Sequence, residues 1–426
     1  MKKLLLSGLL LLPLFINAQV SYSGSLHPVT MNRTSDYSAI NLPFRIAELE
    51  VGLTKGNFDF KTNSTLEYRW KEGEANFDLR EAYLIWYPSW GELTVGKQIH
   101  AWGAVDGNNP TDNLNPYDYY FMFLPGTERK IGTVSGSVKY YRNELQLEAV
   151  IIPEHEPNRY PFGEKDFPIT TEDPSDFIRK AKEGNEVGFR LQTTIGSSDM
   201  GLSYFSGRDR GFSLGGYNLV DMTIPSGEII VQPVPAFCYR KTTSTGLDIV
   251  TFVGDFTLRG EGGYFKTKND YWFYMKNKLE ASYLQFAIQL EYVTPYDFTL
   301  STQLIGNHVY SLTGKIYEQS EGTFSSRDAT KNDFQTGMGT PFAMFTDLGL
   351  FLSTSVNLWD NSLEIRVNTF LDLKDEQSMV GSSVLYSPIE NWEMECSVTQ
   401  LMGAKNTTFN EIKDFSNLTL GIKYSF

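Results

Sequence analysis

The sequence predicts an all-β protein, a transmembrane antiparallel up-and-down β-barrel of about 18 strands within a range of roughly 16 to 20. Three observations carry this: strand-length segments of alternating polarity, an aromatic content of 14% gathered at segment ends, and links that alternate between tight and long. Past the amino terminus no apolar run approaches the roughly 18 residues a membrane helix needs, so any crossing has to be made by strands.

The first residues read as an export signal. Lys2 and Lys3 precede an apolar run from Leu4 to Ile16, and Asn17-Ala18 offers a small residue for cleavage before Gln19. The expected organisation is therefore a signal peptide over 1–18 and a single barrel domain over 19–426. No Cys follows the cleavage site, which argues against a lipid-anchored amino terminus. Cleavage removes two lysines and no acids, taking the formal charge from −14 to −16. Such acidity excludes nucleic acid as a partner. It fits a solvated surface first, and second a lumen and loops that attract cations and hold divalent ions beside lipopolysaccharide. Cys238 and Cys396 lie far apart inside strand-like segments and read as free thiols.

Alternation is clearest over 58–70. Phe58, Phe60, Leu66, Tyr68 and Trp70 fall on one face, with Asp59, Lys61, Asn63, Glu67 and Arg69 on the other. The division recurs in Leu145/Leu147/Ala149/Ile151 against Glu144/Gln146/Glu148, in Phe256/Leu258/Tyr264 against Thr257/Arg259/Glu261, and in Leu363/Ile365/Val367 against Glu364/Arg366/Asn368. A soluble sandwich also alternates, but strands of about 9–14 residues suit a tilted membrane crossing better. Aromatics crowd the ends, as in Trp86-Tyr87-Pro88-Ser89-Trp90 and Tyr271-Trp272-Phe273-Tyr274, where interfacial belts belong. The chain stops on Leu418, Leu420, Ile422, Tyr424 and Phe426, every second residue apolar, resembling the carboxy-terminal insertion signal of outer-membrane barrels, with Tyr424 and Phe426 its key positions.

Strands are expected near 20–27, 43–53, 57–70, 77–87, 91–98, 132–141, 144–152, 185–195, 198–206, 234–252, 255–265, 271–293, 297–307, 343–357, 362–372, 379–387, 391–401 and 417–426. Their inner turns are tight and rich in turn formers: Thr54-Lys55-Gly56, Pro88-Ser89-Trp90, Arg142-Asn143, Gly196-Ser197, Gly254, Thr294-Pro295-Tyr296, Asp360-Asn361 and Ser387-Pro388-Ile389-Glu390. The outer links over 99–131, 153–184, 207–233, 308–342 and 402–416 are all longer, as short-inside, long-outside barrels require. The segments 234–252 and 271–293 are over-long, and the apolar phase flips near Tyr283, so a bulge or extra hairpin is expected there. Closure should pair 20–27 with 417–426 and leave no backbone edge in lipid. A cylinder of this size is too wide for its own side chains to fill, which implies a water-accessible interior.

The most distinctive stretch runs from Val95-Gly96-Lys97-Gln98 through Trp102-Gly103 and Asn115-Pro116-Tyr117-Asp118 to Pro125-Gly126-Thr127-Glu128-Arg129-Lys130. It resembles a family of Gram-negative outer-membrane porin-like proteins that share a G-R/K-Q, W-G, N-P-x-D and P-G order. Leu258-Arg259-Gly260-Glu261-Gly262 fits the same family. The resemblance implies an outer-membrane barrel of channel type and says little about cargo. Its loop, 99–131, is rich in Gly, Asn and Pro and can turn inward. Asp106, Asp112 and Asp118 facing Arg129 and Lys130 would then set a transverse field, the alternative being a solvent-facing loop held by Asx turns. Asp106-Gly107-Asn108 and Asp112 loosely resemble calcium ligation but lack the remainder of an EF-hand loop.

Lys61, Glu67, Arg69, Arg80, Glu81, Arg259, Glu261, Lys276, Lys278, Glu364 and Arg366 are the expected lumen-lining charges. Their mixed signs suit general polar traffic. Asp173-Pro174 with Gly184 reads as a short outer-loop helix. The histidines are His27, His100, His155 and His308; no H-E-x-x-H, G-x-S-x-G or metal spacing occurs, so no catalytic residue, metal or cofactor is assigned. The expected partners are outer-membrane lipid and lipopolysaccharide, the barrel-assembly machinery at the carboxy-terminal strand, and small polar solutes. The competing readings are an adhesin or receptor built on the long outer loops and, behind it, a barrel-embedded hydrolase.

Overall fold

A computed structural model describes residues 19–124, 126–167, 173–181, 184–223, 229–320, 323–344 and 346–426. The signal-peptide reading of 1–18 lies outside the described residues. Each segment of period-two polarity becomes a strand. The first stave is β1 (Gln19–Leu26) with β2 (Val29–Arg33), followed by β3 (Phe44–Lys55), β4 (Phe58–Arg69), β5 (Glu74–Trp86), β6 (Gly91–Gln98), β7 (Thr133–Arg142), β8 (Leu145–Ile152), β9 (Glu186–Ile195) and β10 (Ser198–Arg208). An outer excursion carries β11 (Ser213–Thr223) and β12 (Ile229–Cys238) before the wall resumes with β13 (Lys241–Val253) and β14 (Phe256–Lys268). Then come the short outer β15 (Met275–Lys276), β16 (Lys278–Val293), β17 (Phe298–Ser320), its hairpin arm β18 (Thr323–Asp328), β19 (Leu348–Leu358), β20 (Leu363–Asp372), β21 (Gln377–Ile389), β22 (Trp392–Gly403) and β23 (Asn417–Ser425). Neighbours pair antiparallel all the way round, giving a closed barrel of 18 staves.

Closure falls where expected but through a broken strand. β1 meets β23 only at Ser25↔Ser425 and Leu26↔Tyr424, and β2 continues from Val29↔Gly421 to Arg33↔Asn417. The break is His27-Pro28, because a proline has no N–H for the ladder; its carbonyl still accepts from the Ile422 amide at 3.2 Å.

The inner turns are the tight ones, and several reverse through left-handed backbone, with φ of 57° at Gly56, 53° at Asn143 and 61° at Gly254. The outer links over 70–73 and 373–376 are equally tight, so the alternation of short and long is a tendency around this barrel and not a strict rule.

The two over-long segments resolve without adding staves. Residues 229–238 and 275–276 belong to a separate three-stranded sheet of β12, β11 and β15 in the outer excursion. The expected phase flip at Tyr283 is chemical. Odd positions of β16 face inward throughout, from Leu279 and Tyr283 to Gln285 and Gln289, and the upper ones are apolar because they pack on loops inside the barrel. The associated bulge lies on the partner, where Ser282↔Ser311 gives way to Tyr283↔Val309. β17 itself runs on past 307 into the hairpin with β18, so the expected outer link over 308–342 begins as strand. The helix expected after Asp173 reduces to a single 3-10 turn, Ser175–Phe177, because Ile178 goes extended and bridges Phe237; Lys182 and Glu183 fall outside the described residues.

Outward positions carry aliphatic side chains left open to the surroundings, with Val95 64%, Val134 62% and Leu247 60% exposed. In water that belt is a liability, and in a bilayer it is the solvent-matched surface. At the inner-turn end, Phe58 stacks on Trp86 at 6.3 Å, Phe256 lies 4.9 Å from Tyr292 and Trp392 5.0 Å from Tyr424, forming a girdle at the headgroup level. The other expected aromatic run divides: Tyr271 and Phe273 are buried with Ala236 and Cys238 in the outer excursion, while Trp272 and Tyr274 are exposed.

Cys396 tests the belt. It is exposed on the outward face of β22 between Val384 and Leu420, whereas Cys238 is buried. In protein reconstituted into vesicles, a lipid-soluble maleimide is expected to label Cys396 and a charged, water-soluble one to leave it unmodified. Rapid labelling by the charged reagent contradicts a lipid-facing β22.

Candidate functional site

The inward-facing side chains of the wall are met from inside by the chain linking β6 to β7. It leaves β6 at Gln98, and Asn115 staples its root: the Asn115 side chain accepts from the His100 amide at 2.7 Å and donates to the carbonyls of Gln98 and Ile131, each at 3.0 Å. The outgoing strand then reaches Glu261 on β14. That carboxylate accepts from the amides of Ala104 (2.9 Å), Val105 (3.3 Å) and Thr111 (2.8 Å), from the Thr111 hydroxyl (2.7 Å) and from the Asn109 side chain (3.2 Å). Gly103 is required at the contact, since with φ 99° any Cβ would sit 2.5 Å from a Glu261 oxygen.

The tip goes further. The Asp106 amide donates to Gln289 of β16 at 2.9 Å, Gln289 donates back to the Asp106 carboxylate at 2.7 Å, and Asn108 donates to Gln303 of β17 at 2.8 Å. β6 is the fifth stave and β16 and β17 are the twelfth and thirteenth of 18, so the loop crosses the barrel interior. Trp102 and Leu114 seal it against Val150, Ile152, Phe205, Phe265 and Tyr283 of the wall, and Met338 of a second inward loop, 329–347, completes the cluster. That second loop is held by Gln285, which accepts from the Thr340 amide at 2.8 Å. A third, 153–167, is held by Arg159 on Glu67 through two 2.9 Å hydrogen bonds and by Glu164 on Arg69.

The interior is covered on one side. Inward residues of β8 to β17, among them Glu148, Arg190, Ser203, Asp248, Gln289 and Gln303, are buried under the loops. Inward positions of β19 to β22, including Ser353, Asn368, Gly381, Ser383 and Ser397, are small or polar and stay partly or fully exposed. Beside them stand Glu48, Glu50 and Lys61 on β3 and β4, Glu364 and Arg366 on β20, Glu393 and Glu395 on β22, and Lys423 on β23.

The residues singled out from sequence sort into three groups. Glu67, Arg69, Arg80, Glu81 and Glu261 face inward but hold loops: Arg80 reaches Glu128 at 3.1 Å, and Glu81 accepts from the Ile99 amide at 2.8 Å. Arg80 and Glu81 both point inward because Arg80 is the extra residue of a bulge, Asn63 pairing with Glu81 and Ser64 with Leu79. Lys61, Arg259, Glu364 and Arg366 line the interior, Arg259 between Glu291 at 3.2 Å and Asp106 at 3.6 Å, Glu364 and Arg366 paired with each other. Lys276 and Lys278 are corrected: Lys276 sits on β15 in the outer sheet, and Lys278 shares the outward face of β16.

The transverse field expected from Asp106, Asp112 and Asp118 against Arg129 and Lys130 does not form across open space. Asp112 and Lys130 are a buried pair at 2.5 Å inside the loop, Asp118 lies between Arg159 (3.0 Å) and Arg45 (3.7 Å), and Arg129 is buried against the Gly107 carbonyl. Only Asp106 of the five has a strongly exposed side chain, at 72%. The calcium-like reading also disperses, since Asn108 and Asp112 point to different partners. Burial pushes the Lys130 amine down against the pull of Asp112, and pushes the Asp118 carboxyl up against Arg159 and Arg45. It also drives the His100 imidazole down to about 3 and lowers His155 despite its hydrogen bond to Glu186.

Sequence reading missed the amides Gln285, Gln289 and Gln303 and the buried pairs Arg190–Asp248 and Arg210–Glu186. A usable signal existed at Gln285 and Gln289, two inward polar positions on either side of the inward Ala287.

Fold and interior together define a class: a transmembrane β-barrel whose loops fold into its lumen. Among solved structures the chain is similar to the outer membrane protein OpdK of Pseudomonas aeruginosa, at 11% identity over 96% of this chain and 98% of that one with a TM-score of 0.52. It is similar also to OccK11 (OpdR) of the same organism, at 12% identity over 96% of each chain with a TM-score of 0.51. OpdK solved with vanillate matches at 12% identity over 96% and 98% with a TM-score of 0.50. At this identity the likeness is one of fold. No family model and no curated protein matches the sequence.

Two outcomes test the interior. Glu261→Ala removes the acceptor for three loop amides, and their protection from hydrogen exchange is expected to fall about a hundredfold, at roughly 1–3 kcal/mol per orphaned donor; unchanged protection contradicts the anchoring role. Undocked, His100 and His155 titrate near their ordinary 6.5, and docked they resist protonation, so the undocked loop binds protons first. The histidines' contribution to docking is therefore fully present above pH 6.5 and is lost as pH falls through their lowered range, for His100 toward about 3, read as rising protease cleavage of 99–131. The double variant His100→Gln/His155→Gln is expected to flatten that dependence.

Proposed function

We propose that this chain is a Gram-negative outer-membrane channel through which small polar solutes, cations ahead of anions, diffuse along the uncovered side of the lumen. The carrying observation is the asymmetry of the interior: loop 99–131 spans it and buries one side, while the side formed by β19 to β23 and β1 to β4 keeps small polar positions exposed. On this reading the loop narrows the passage. Its inward acids, Glu48, Glu50, Glu291, Glu364, Glu393, Glu395 and Asp106, outnumber Lys61, Arg259, Arg366 and Lys423, so the local potential favours cations. The likeness in fold to outer-membrane proteins supports the location, as do the outward apolar belt and the aromatic girdle.

The same reading gives residues 1–18 as a cleaved export signal ending at Ala18 and the strand ending on Tyr424 and Phe426 as the segment read by the assembly machinery. Lipopolysaccharide would surround the outer rim. No catalytic role is proposed.

Planar-bilayer recording tests the function. Purified protein is expected to give ohmic steps with a reversal potential favouring cations. Asp106→Asn is expected to lower the cation-to-anion permeability ratio about twofold. Deleting 103–118 is expected to raise single-channel conductance. An unchanged conductance contradicts the narrowing role, and a silent wild-type protein contradicts the channel and favours an adhesin.

A further inference from the structure

Below the root of the crossing loop, on the inner-turn side, the wall from β5 to β9 encloses a cavity of about 290 Å³. Glu81, Tyr83, Ser137 and Glu148 line it from the wall, and His100 and Trp102 form part of its roof. Two of its carboxylates are each held by one hydrogen bond, through one oxygen. Glu81 accepts from the Ile99 amide at 2.8 Å and Glu148 from the Trp102 indole N–H at 3.0 Å. Glu148 is only 7% exposed. Its other oxygen lies 3.8 Å from His100 Nδ1.

Among the described residues no lysine or arginine nitrogen lies within 4 Å of these carboxylates; Lys139 and Arg190 attract Glu148, and Arg80 attracts Glu81, only from farther off. Lys139, also at the cavity, is held by Glu92 at 3.1 Å; Arg190 by Asp248 at 2.9 Å; Lys130 by Asp112 at 2.5 Å; Arg80 by Glu128 at 3.1 Å. A buried carboxylate whose counter-charges stand off is costly, and the cost falls when a cation sits beside it. Ser137, 5% exposed, adds a hydroxyl to the cavity wall. Tyr83 brings another hydroxyl, and the Trp102 ring supplies an apolar, electron-rich wall suited to a cation.

We propose that this cavity is a binding subsite for a small organic ammonium compound, whose N–H groups donate to the free oxygens of Glu81 and Glu148 while its carbon chain lies along Trp102 and Tyr83. The volume is far above the roughly 10–15 Å³ that a single water needs, so it admits a compound of several non-hydrogen atoms. The subsite deepens the channel reading by naming a solute class, and its position on the inner-turn side places it after the loop for a solute entering from outside.

The test is a titration of the detergent-solubilised full chain with 1,4-diaminobutane, followed by tryptophan fluorescence, with butane-1,4-diol as the uncharged isostere. Saturable quenching by the diamine alone is expected, lost in Trp102→Phe. Glu81→Gln/Glu148→Gln is expected to raise the Kd about tenfold or more, each charge-assisted hydrogen bond being worth at least one such factor. Retention of the outer-membrane fold in that variant is checked by heat-modifiable gel mobility. Absence of saturable quenching, an equal response to the diol, or an unchanged Kd in a folded double variant overturns the proposal. Because the titration needs no current, it separates failure of the subsite from failure of the channel: a protein that conducts but does not bind loses only the subsite.

Discussion

A cylinder of 18 strands encloses more space than its own inward side chains can fill, and that excess governs the rest of the molecule. Outside, the problem is solved by backbone closure and an aliphatic surface. Inside, the chain brings in its own filling. Three outer links fold down onto inward polar side chains, and an apolar cluster of Trp102, Leu114, Phe205, Phe265, Tyr283 and Met338 forms within the barrel. The wall thus has two interiors, one dry and one wet.

The dry side explains an otherwise expensive inventory. Buried charges such as Glu261, Arg190, Asp248, Glu186 and Arg210 are tolerated because nearly all meet partners on the opposing loop or neighbouring strand. Glu261 is the extreme case, a carboxylate whose partners are five neutral donors, most of them loop amides. Its position fixes where the loop crosses and therefore which strands stay uncovered. The acidic balance of the wet side and the carboxylates lining the cavity beneath the loop root follow from that division.

The wall was legible because alternation is local: each strand announces itself in eight to fourteen residues, and tight inner turns mark the reversals. The interior was less legible for the same reason. Glu67, Arg69, Arg80 and Glu81 read as water-facing charges because an inward polar residue looks alike whether it meets solvent or a loop folded from far along the chain. Tyr283 is the converse, an inward aromatic that broke the pattern because Met338 and Phe334 meet it from inside. Asp112 and Lys130 were visible as charges, but their mutual burial depends on how the loop folds back on itself, which spacing does not encode.

The central claim is that the crossing loop divides the lumen into a covered and an uncovered side, and cysteine accessibility tests it most directly. In a background free of Cys238 and Cys396, Ser383→Cys and Ser397→Cys on the uncovered side should react quickly with a small charged thiol reagent. Ser203→Cys and Ser244→Cys, buried under the loop in this structure, should be protected until residues 103–118 are removed. Equal reactivity at all four positions in the intact chain would contradict the account.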